Sequence, residues 1–307
     1  MGRYKWTPDQ IPDLSGKVII VTGANTGIGF HASWEFARKG AETILACRNE
    51  QKALKAIGLI RKEIPKASVR FMQLDLGSLR SIHQFTEAFR KEYDRLDVLL
   101  NNAGIILYPY RTTEDGFESQ IGVNHLGHFA LTGLLIDLIS RTDGARVVNV
   151  SSKGHRMGRM DFDNFMFDGG RDYSRIGAYG RSKLANLLFT YELDGRFKQK
   201  GINALSLAAH PGFSYTDLGR RRFFRTLWYF FFPVIKLITQ SASMGALPSV
   251  RAAVDPDVQG TDYFGPDGRR ERKGYPVKVS SNGASHNPED AKKLWEISEE
   301  LTGIKYL

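Results

Sequence analysis

The sequence predicts an α/β fold built on a doubly wound parallel sheet, and three observations carry that prediction. Short β-branched apolar runs alternate with longer stretches of helical periodicity, the pattern of parallel strands joined by crossover helices. The first run stops at a cluster of glycines that leads directly into a helical stretch. No internal repeat or low-complexity linker divides the 307 residues, and 42% hydrophobic content suffices for a sizeable core, so a single domain is expected.

The first strand is predicted at 17–22, followed by the turn Gly23-Ala-Asn25-Thr26-Gly27-Ile28-Gly29 and a helix over 30–39 closed by Gly40. Strand, glycine turn and helix in that order form a Rossmann-type phosphate cradle. Glycine tolerates positive φ and lets a pyrophosphate approach the backbone, while the helix N-terminus offers N–H donors. The spacing Gly-x-x-x-Gly-x-Gly differs from the Gly-x-Gly-x-x-Gly form and is also compatible with a plain tight turn.

The second strand, 43–47, ends where an acidic residue would hold a ribose 2′-hydroxyl, but the residues there are Arg48 and Asn49. A guanidinium pairs with a 2′-phosphate through charge-assisted hydrogen bonds, so the sequence leans toward NADP over NAD. A third strand, 69–74, leads to Asp75 and Leu76, with Asp75 a candidate for adenine contact and Ser78 a cap for a helix running to about Tyr93. A fourth strand, 98–100, ends in Asn101-Asn102-Ala103-Gly104, and the run 116–139 places Asn124, His125 and His128 on a helix. The two histidines lack the glutamate and third ligand of a zinc helix, so packing or helix-surface roles are expected and no metal site. A fifth strand, 146–150, ends at Ser151-Ser152, and a sixth spans 202–209. Gly23, Asp75, Asn101 and Ser152 therefore all fall at strand carboxyl ends, where doubly wound sheets bind ligands.

Tyr179-Gly-Arg-Ser-Lys183 sets a phenol and an ammonium on one face of a Pro-free helical run. A nearby cation stabilises phenolate and brings a tyrosine toward working range as a proton-transfer group. By itself the pair also fits an ordinary solvated helix face.

Taken together, Thr22-Gly-Ala-Asn-Thr-Gly-Ile-Gly29, Asn101-Asn-Ala-Gly104, Asn124, Ser152, Tyr179-x-x-x-Lys183 and Pro211-Gly212 resemble the short-chain dehydrogenase/reductase family. Cys47-Arg-Asn49, Val123-Asn-His-Leu-Gly-His-Phe129, Ser182-Lys-Leu-Ala-Asn186 and His210-Pro-Gly212 are similar to its retinol-dehydrogenase and protochlorophyllide-reductase-like branch. The resemblance implies Tyr179 as general acid/base, Lys183 as ligand of the nicotinamide ribose that lowers the tyrosine pKa, Ser152 as holder of the substrate oxygen and Asn124 as support of the proton relay. It also implies cofactor contacts from the glycine turn, Asn102, Ala103, Gly104, Pro211, Gly212 and Thr216. Two departures stand out: the segment 153–176 is long, which keeps Ser151 as an alternative serine, and Phe213 follows Pro211-Gly212 where a smaller residue is usual.

The stretch 217–238 carries Arg220-Arg-Arg222 and then a run of aromatic residues up to Phe232-Pro233. In the family this region covers the substrate, so its aromatic content implies a bulky hydrophobic substrate, and the chain divides into a core at 15–212, a lid at 213–250 and a C-terminal strand and helix at 251–307. A basic-aromatic helix at 220–238 in peripheral contact with an anionic membrane is the rival reading. The run is too short for a span of about 20 residues and is interrupted by Pro233. Beyond it, a helix over 240–254, a short edge strand over 263–265 and an amphipathic helix over 291–301 are predicted.

The formal charge of +10 is spread along the chain, which argues against a nucleic-acid arm. One cysteine, Cys47, allows no internal disulfide, and the polar first 12 residues lack an apolar core, so a cytoplasmic enzyme is expected, with homo-oligomers open. The favoured activity is NADP-linked hydride transfer on a carbonyl or alcohol. Reduction of a carbon–carbon double bond and a non-catalytic cofactor-sensing protein are the alternatives.

Overall fold

A computed structural model describes residues 5–213 and 239–307. Eight strands form one sheet: β1 (Val18–Thr22), β2 (Glu42–Cys47), β3 (Val69–Gln73), β4 (Val98–Asn101), β5 (Ala145–Val150), β6 (Ala204–Ala209), β7 (Tyr263–Pro266) and β8 (Pro276–Lys278). Their order is β3-β2-β1-β4-β5-β6-β7-β8, all parallel except the β7–β8 pair. Every residue of β1 and β4 is buried, as it must be in a strand covered on both faces, which is why these strands read as unbroken apolar runs. Strand order reverses between β1 and β4, so the ligand crevice lies outside their carboxyl ends.

The helices are α1 (Gly27–Arg38), α2 (Glu50–Glu63), α3 (Leu79–Glu92), α4 (Ser119–Ile121), α5 (Gly127–Leu134), α6 (Ile136–Arg141), α7 (Arg175–Gln199), α8 (Ala242–Val254) and α9 (Pro288–Thr302). One face of the sheet is packed by α1, α2 and α8 through Phe36, Ile60 and Val250, the other by α3, α5 and α9 through Phe85, Phe129 and Trp295. Each such side chain, fully buried, contributes roughly 1.5–3 kcal/mol.

Three expectations are corrected. The strand at 263–265 is not an edge: β7 lies between β6 and the antiparallel β8, which ends the sheet. β8 is only three residues long and carries little apolar pattern, so periodicity does not reveal it. The helix expected within 116–139 to carry Asn124–Phe129 starts at Ser119, passes through a π turn at Gly122–Leu126 and breaks at Leu135. Of the segment assigned to a lid, 242–250 belongs to the core, because α8 buries Ala246, Leu247 and Val250 against the sheet. Thr216 and the aromatic stretch 220–238 lie outside the described residues.

Candidate active site

At the carboxyl end of β1 the chain turns through Gly23 at φ +66°, a conformation that a Cβ would disfavour. A Cβ on Gly29 would lie 2.5 Å from Asn102 Nδ2 and 2.6 Å from the Gly23 carbonyl, so only glycine lets α1 seat this closely. The floor of the turn is held by Thr22: its hydroxyl accepts from the Asn102 and Ala103 amides, both at 2.9 Å, while Asn102 Nδ2 donates to its carbonyl at 2.7 Å. Asn25 and Thr26 complete the turn, and Gly27 and Ile28 open α1. No side chain caps α1 from Thr26, whereas Asn49, Ser78, Ser174, Ser241 and Asn287 cap α2, α3, α7, α8 and α9. A helix start without a side-chain cap, behind the glycines at the carboxyl end of β1, fits a dinucleotide pyrophosphate.

Arg48 stands at the end of β2 with its side chain 74% exposed and a guanidinium nitrogen 3.6 Å from Asp75 Oδ2. Asp75 also accepts from the Gly77 amide at 2.9 Å. The Leu76 side chain belongs to the core, and its carbonyl abuts Gly127. Asn49, next to Arg48, is occupied as the cap of α2.

The candidate catalytic wall is α7 against the end of β5. Tyr179 is half-buried beside Ser152: a Cβ on Gly154 would lie 2.8 Å from the tyrosine ring and 3.5 Å from Ser152 Oγ, so that glycine makes the space the ring uses. Ser152 is fixed in turn by His155, whose Nδ1 donates to the Ser152 carbonyl at 2.6 Å. Lys183 is buried and donates to the Val150 carbonyl at 2.9 Å, with its ammonium 6.0 Å from the Tyr179 ring centre. Burial pushes the lysine pKa down to about 8. Burial also raises Tyr179, against the neighbouring Ser152 hydroxyl, which lowers it. Lys183 adds no downward shift among these groups, its ammonium being engaged by the Val150 carbonyl and 6.0 Å from the ring centre. Ser151, the alternative serine, is 2% exposed and donates to the Lys183 carbonyl at 2.8 Å, a scaffold role.

Asn124 lies in the π turn, fully buried. Its side chain accepts from the Ile105 amide at 2.8 Å and donates to the Ile105 carbonyl at 3.0 Å and to Ser182 Oγ at 2.9 Å. A Cβ on Gly104 would come within 3.1 Å of Asn124 Oδ1 and 3.4 Å of Lys183 Nζ, which places Gly104 where the nucleotide rim meets the catalytic wall.

His128, for which packing or a helix-surface role is expected, is buried. Its Nδ1 donates to the Asn124 carbonyl at 3.1 Å, which leaves Nε2 to accept from the Thr22 hydroxyl at 2.9 Å. The ring thereby ties the glycine turn to the π turn. Burial pushes His128 and its neighbour His125 down to about 3, so both are neutral, and His125 Nε2 meets Ser298 Oγ at 2.9 Å. Arg181, between Tyr179 and Lys183, is also absent from the sequence-based set. Its guanidinium donates to the Arg159, Asn164 and Phe165 carbonyls at 2.7–3.1 Å and stacks 4.0 Å over Phe167, anchoring the long 153–176 segment to α7. Pro211 and Gly212 follow β6 at the same end of the sheet, with Gly212 at φ +63°.

Residues 17–166 match the family described as short chain dehydrogenase. Mouse retinol dehydrogenase 12 is 41% identical over 300 residues, covering 97% of this chain and 89% of the relative. A crystal structure of an uncharacterized Mycobacterium paratuberculosis protein superposes with a TM-score of 0.82 at 37% identity, covering 99% of this chain and all of that one. A short chain dehydrogenase of Escherichia coli CFT073 complexed with NADPH gives a TM-score of 0.62 at 25% identity, covering 81% of this chain and 95% of that one. The chain is an oxidoreductase enzyme that belongs to the short-chain dehydrogenase/reductase family, in its retinol-dehydrogenase-like branch.

Proposed function

We propose that the enzyme is NADP-dependent and interconverts the carbonyl and alcohol of a bulky hydrophobic substrate, retinoid-, steroid- or lipid-like. The observation that carries this reading is the meeting of Tyr179, Ser152 and Lys183 beside Gly104, at the crevice that the glycine turn borders. When bound, the nicotinamide cofactor supplies or accepts the hydride. The glycine turn and the first turn of α1 would hold its pyrophosphate, Asp75 and the Leu76 backbone its adenine side, and Asn102, Ala103, Gly104, Pro211 and Gly212 the remainder. Arg48 would take the 2′-phosphate.

Tyr179 carries the proton to or from the substrate oxygen, and Ser152 accepts or donates a hydrogen bond at that oxygen. With its pKa raised, Tyr179 enters neutral solution protonated, ready to act as an acid toward a carbonyl. Lys183 presents a positive charge below about pH 8 at the foot of the wall. Asn124 holds the Ile105 backbone that faces the same space.

The names of relatives such as mouse retinol dehydrogenase 12 favour an apolar alcohol or aldehyde over a double bond. No helix among the described residues is long and apolar enough to cross a membrane. Peripheral membrane contact through 220–238, Thr216 as a cofactor ligand, a cytoplasmic location and a homo-oligomer remain part of this proposal. The test is turnover of retinaldehyde, steroid ketones and long-chain aldehydes with NADPH and with NADH, with product identification. An alcohol product formed faster with NADPH supports it; a saturated carbonyl product, or equal rates with the two cofactors, rejects it.

A further inference from the structure

The strap 267–275, which joins β7 to β8, lies across the turn made by Pro211, Gly212 and Phe213. The Phe213 amide donates to the Arg272 carbonyl at 2.8 Å, and a Cβ on Gly212 would come within 2.4 Å of that same oxygen. Gln240 then joins the two backbones with one carboxamide. Its Nε2 donates to the Pro211 carbonyl and its Oε1 accepts from the Gly274 amide, both at 2.9 Å, while its own amide donates to the Phe213 carbonyl at 2.8 Å.

A second tie lies beneath. His210 is fully buried, and its Nδ1 accepts from the Gly212 amide at 3.2 Å, which makes Nε2 the protonated nitrogen. Nε2 lies 3.1 Å from a Glu271 carboxylate oxygen but off the line of a hydrogen bond, so the contact is chiefly electrostatic. Arg156 approaches the Glu271 carboxylate at 3.7 Å, and Lys153 donates to the Arg270 carbonyl. Arg270 and Glu271 have φ of +54° and +52°, a left-handed backbone that L residues avoid unless their surroundings hold them there.

We infer that Gln240 and Glu271 are positioning residues that hold the Pro211-Gly212 turn in the shape that receives the cofactor. The inference rests on the proposal that this turn belongs to the cofactor site. Neither residue needs to touch a reacting atom. By engaging the carbonyls and amides of the turn in advance, they remove the ordering cost that binding would otherwise meet. A contact made alike in ground and transition states acts on binding more than on turnover, so their loss should appear in cofactor affinity before kcat.

The full chain carrying Gln240→Ala, Glu271→Ala or Glu271→Gln is titrated with NADPH by fluorescence, alongside melting temperature and kcat at saturating cofactor. Gln240→Ala and Glu271→Ala should raise the dissociation constant about tenfold, and Glu271→Gln, which keeps the side chain's shape but not the charge that faces His210 and Arg156, should raise it nearly as much. Dissociation constants unchanged in folded variants overturn the inference, as does a Glu271→Gln variant that binds like wild type. Hydrogen exchange on the wild type gives a reading that needs no variant: the Phe213 and Gly274 amides should already be protected before NADPH binds, and unprotected exchange there in the free enzyme also overturns it. A wild type that binds neither NADPH nor NADH would sink the cofactor reading itself, whereas wild-type binding with indifferent variants rejects only the positioning role.

Discussion

The nucleotide rim and the catalytic wall face the same crevice but handle charge in opposite ways. At the rim, Arg48 is 74% exposed and Asp75 33% exposed, and they pair loosely at 3.6 Å. On the wall, Lys183 is 4% exposed and its pKa is displaced to about 8. Water screens the first pair, whereas the second group keeps its full field. On the proposed function, selectivity would lie where electrostatics are weak and adjustable, and chemistry where they are strong.

The sharpest way to break this contrast is Tyr179→Phe. It should lower kcat by roughly a thousandfold or more while the NADPH dissociation constant, read by fluorescence titration, stays near wild type. A kcat within a few fold of wild type would move the proton-transfer role elsewhere.

Lys183→Met should remove activity yet stabilise the fold by about 2 kcal/mol, because an ammonium buried at a cost gives way to an apolar chain and Asn186 still donates to the Val150 carbonyl at 3.1 Å. The sign of its pH dependence follows from the depressed pKa. Between about pH 8 and the ordinary value of 10.5 the unfolded chain binds more protons at this position, so the lysine's penalty is full below about 8 and fades as pH rises. Denaturant melts at pH 7 and pH 10 should show the stability advantage of Lys183→Met shrinking. An advantage that does not change with pH would contradict the buried-charge account.

On the rim, Arg48→Asp should shift the ratio of NADP to NAD efficiency by about tenfold toward NAD, mostly through KM. The smallest effect belongs to Asn49→Ala beside it, which removes the cap of α2 at a cost of about 1 kcal/mol in thermal melts and should leave cofactor choice unchanged. A change of cofactor choice from Asn49→Ala alone would blur the division between capping and recognition at this strand end.

The sequence disclosed parts of both regions and left other contacts hidden. The glycine turn, Arg48 and the Tyr179 and Lys183 pair are legible because each depends on neighbours in the chain: a strand end, a helix start, a four-residue spacing. The family resemblance supplied the order in which they belong. What stayed hidden depends on partners far away in sequence. Gln240 engages Pro211 and Gly274, Glu271 reaches His210, and His128 reaches Thr22, and no periodicity marks such pairs. The π turn around Asn124 was hidden for another reason, since a shift of hydrogen-bond register changes no residue pattern.

The aromatic face that α9 covers has a spectroscopic consequence. Trp295 is 2% exposed, lies 5.1 Å from Phe129 and 4.7 Å from Tyr306 between ring centres, carries the Arg196 guanidinium 3.9 Å over its ring and donates from Nε1 to Glu299 at 3.0 Å. An indole so enclosed emits at short wavelength, and release of α9 would bring it into water and move its emission to the red. With Trp295→Phe to assign the signal, the chain carries a built-in optical gauge of whether its last helix is docked, readable without a label and independent of turnover.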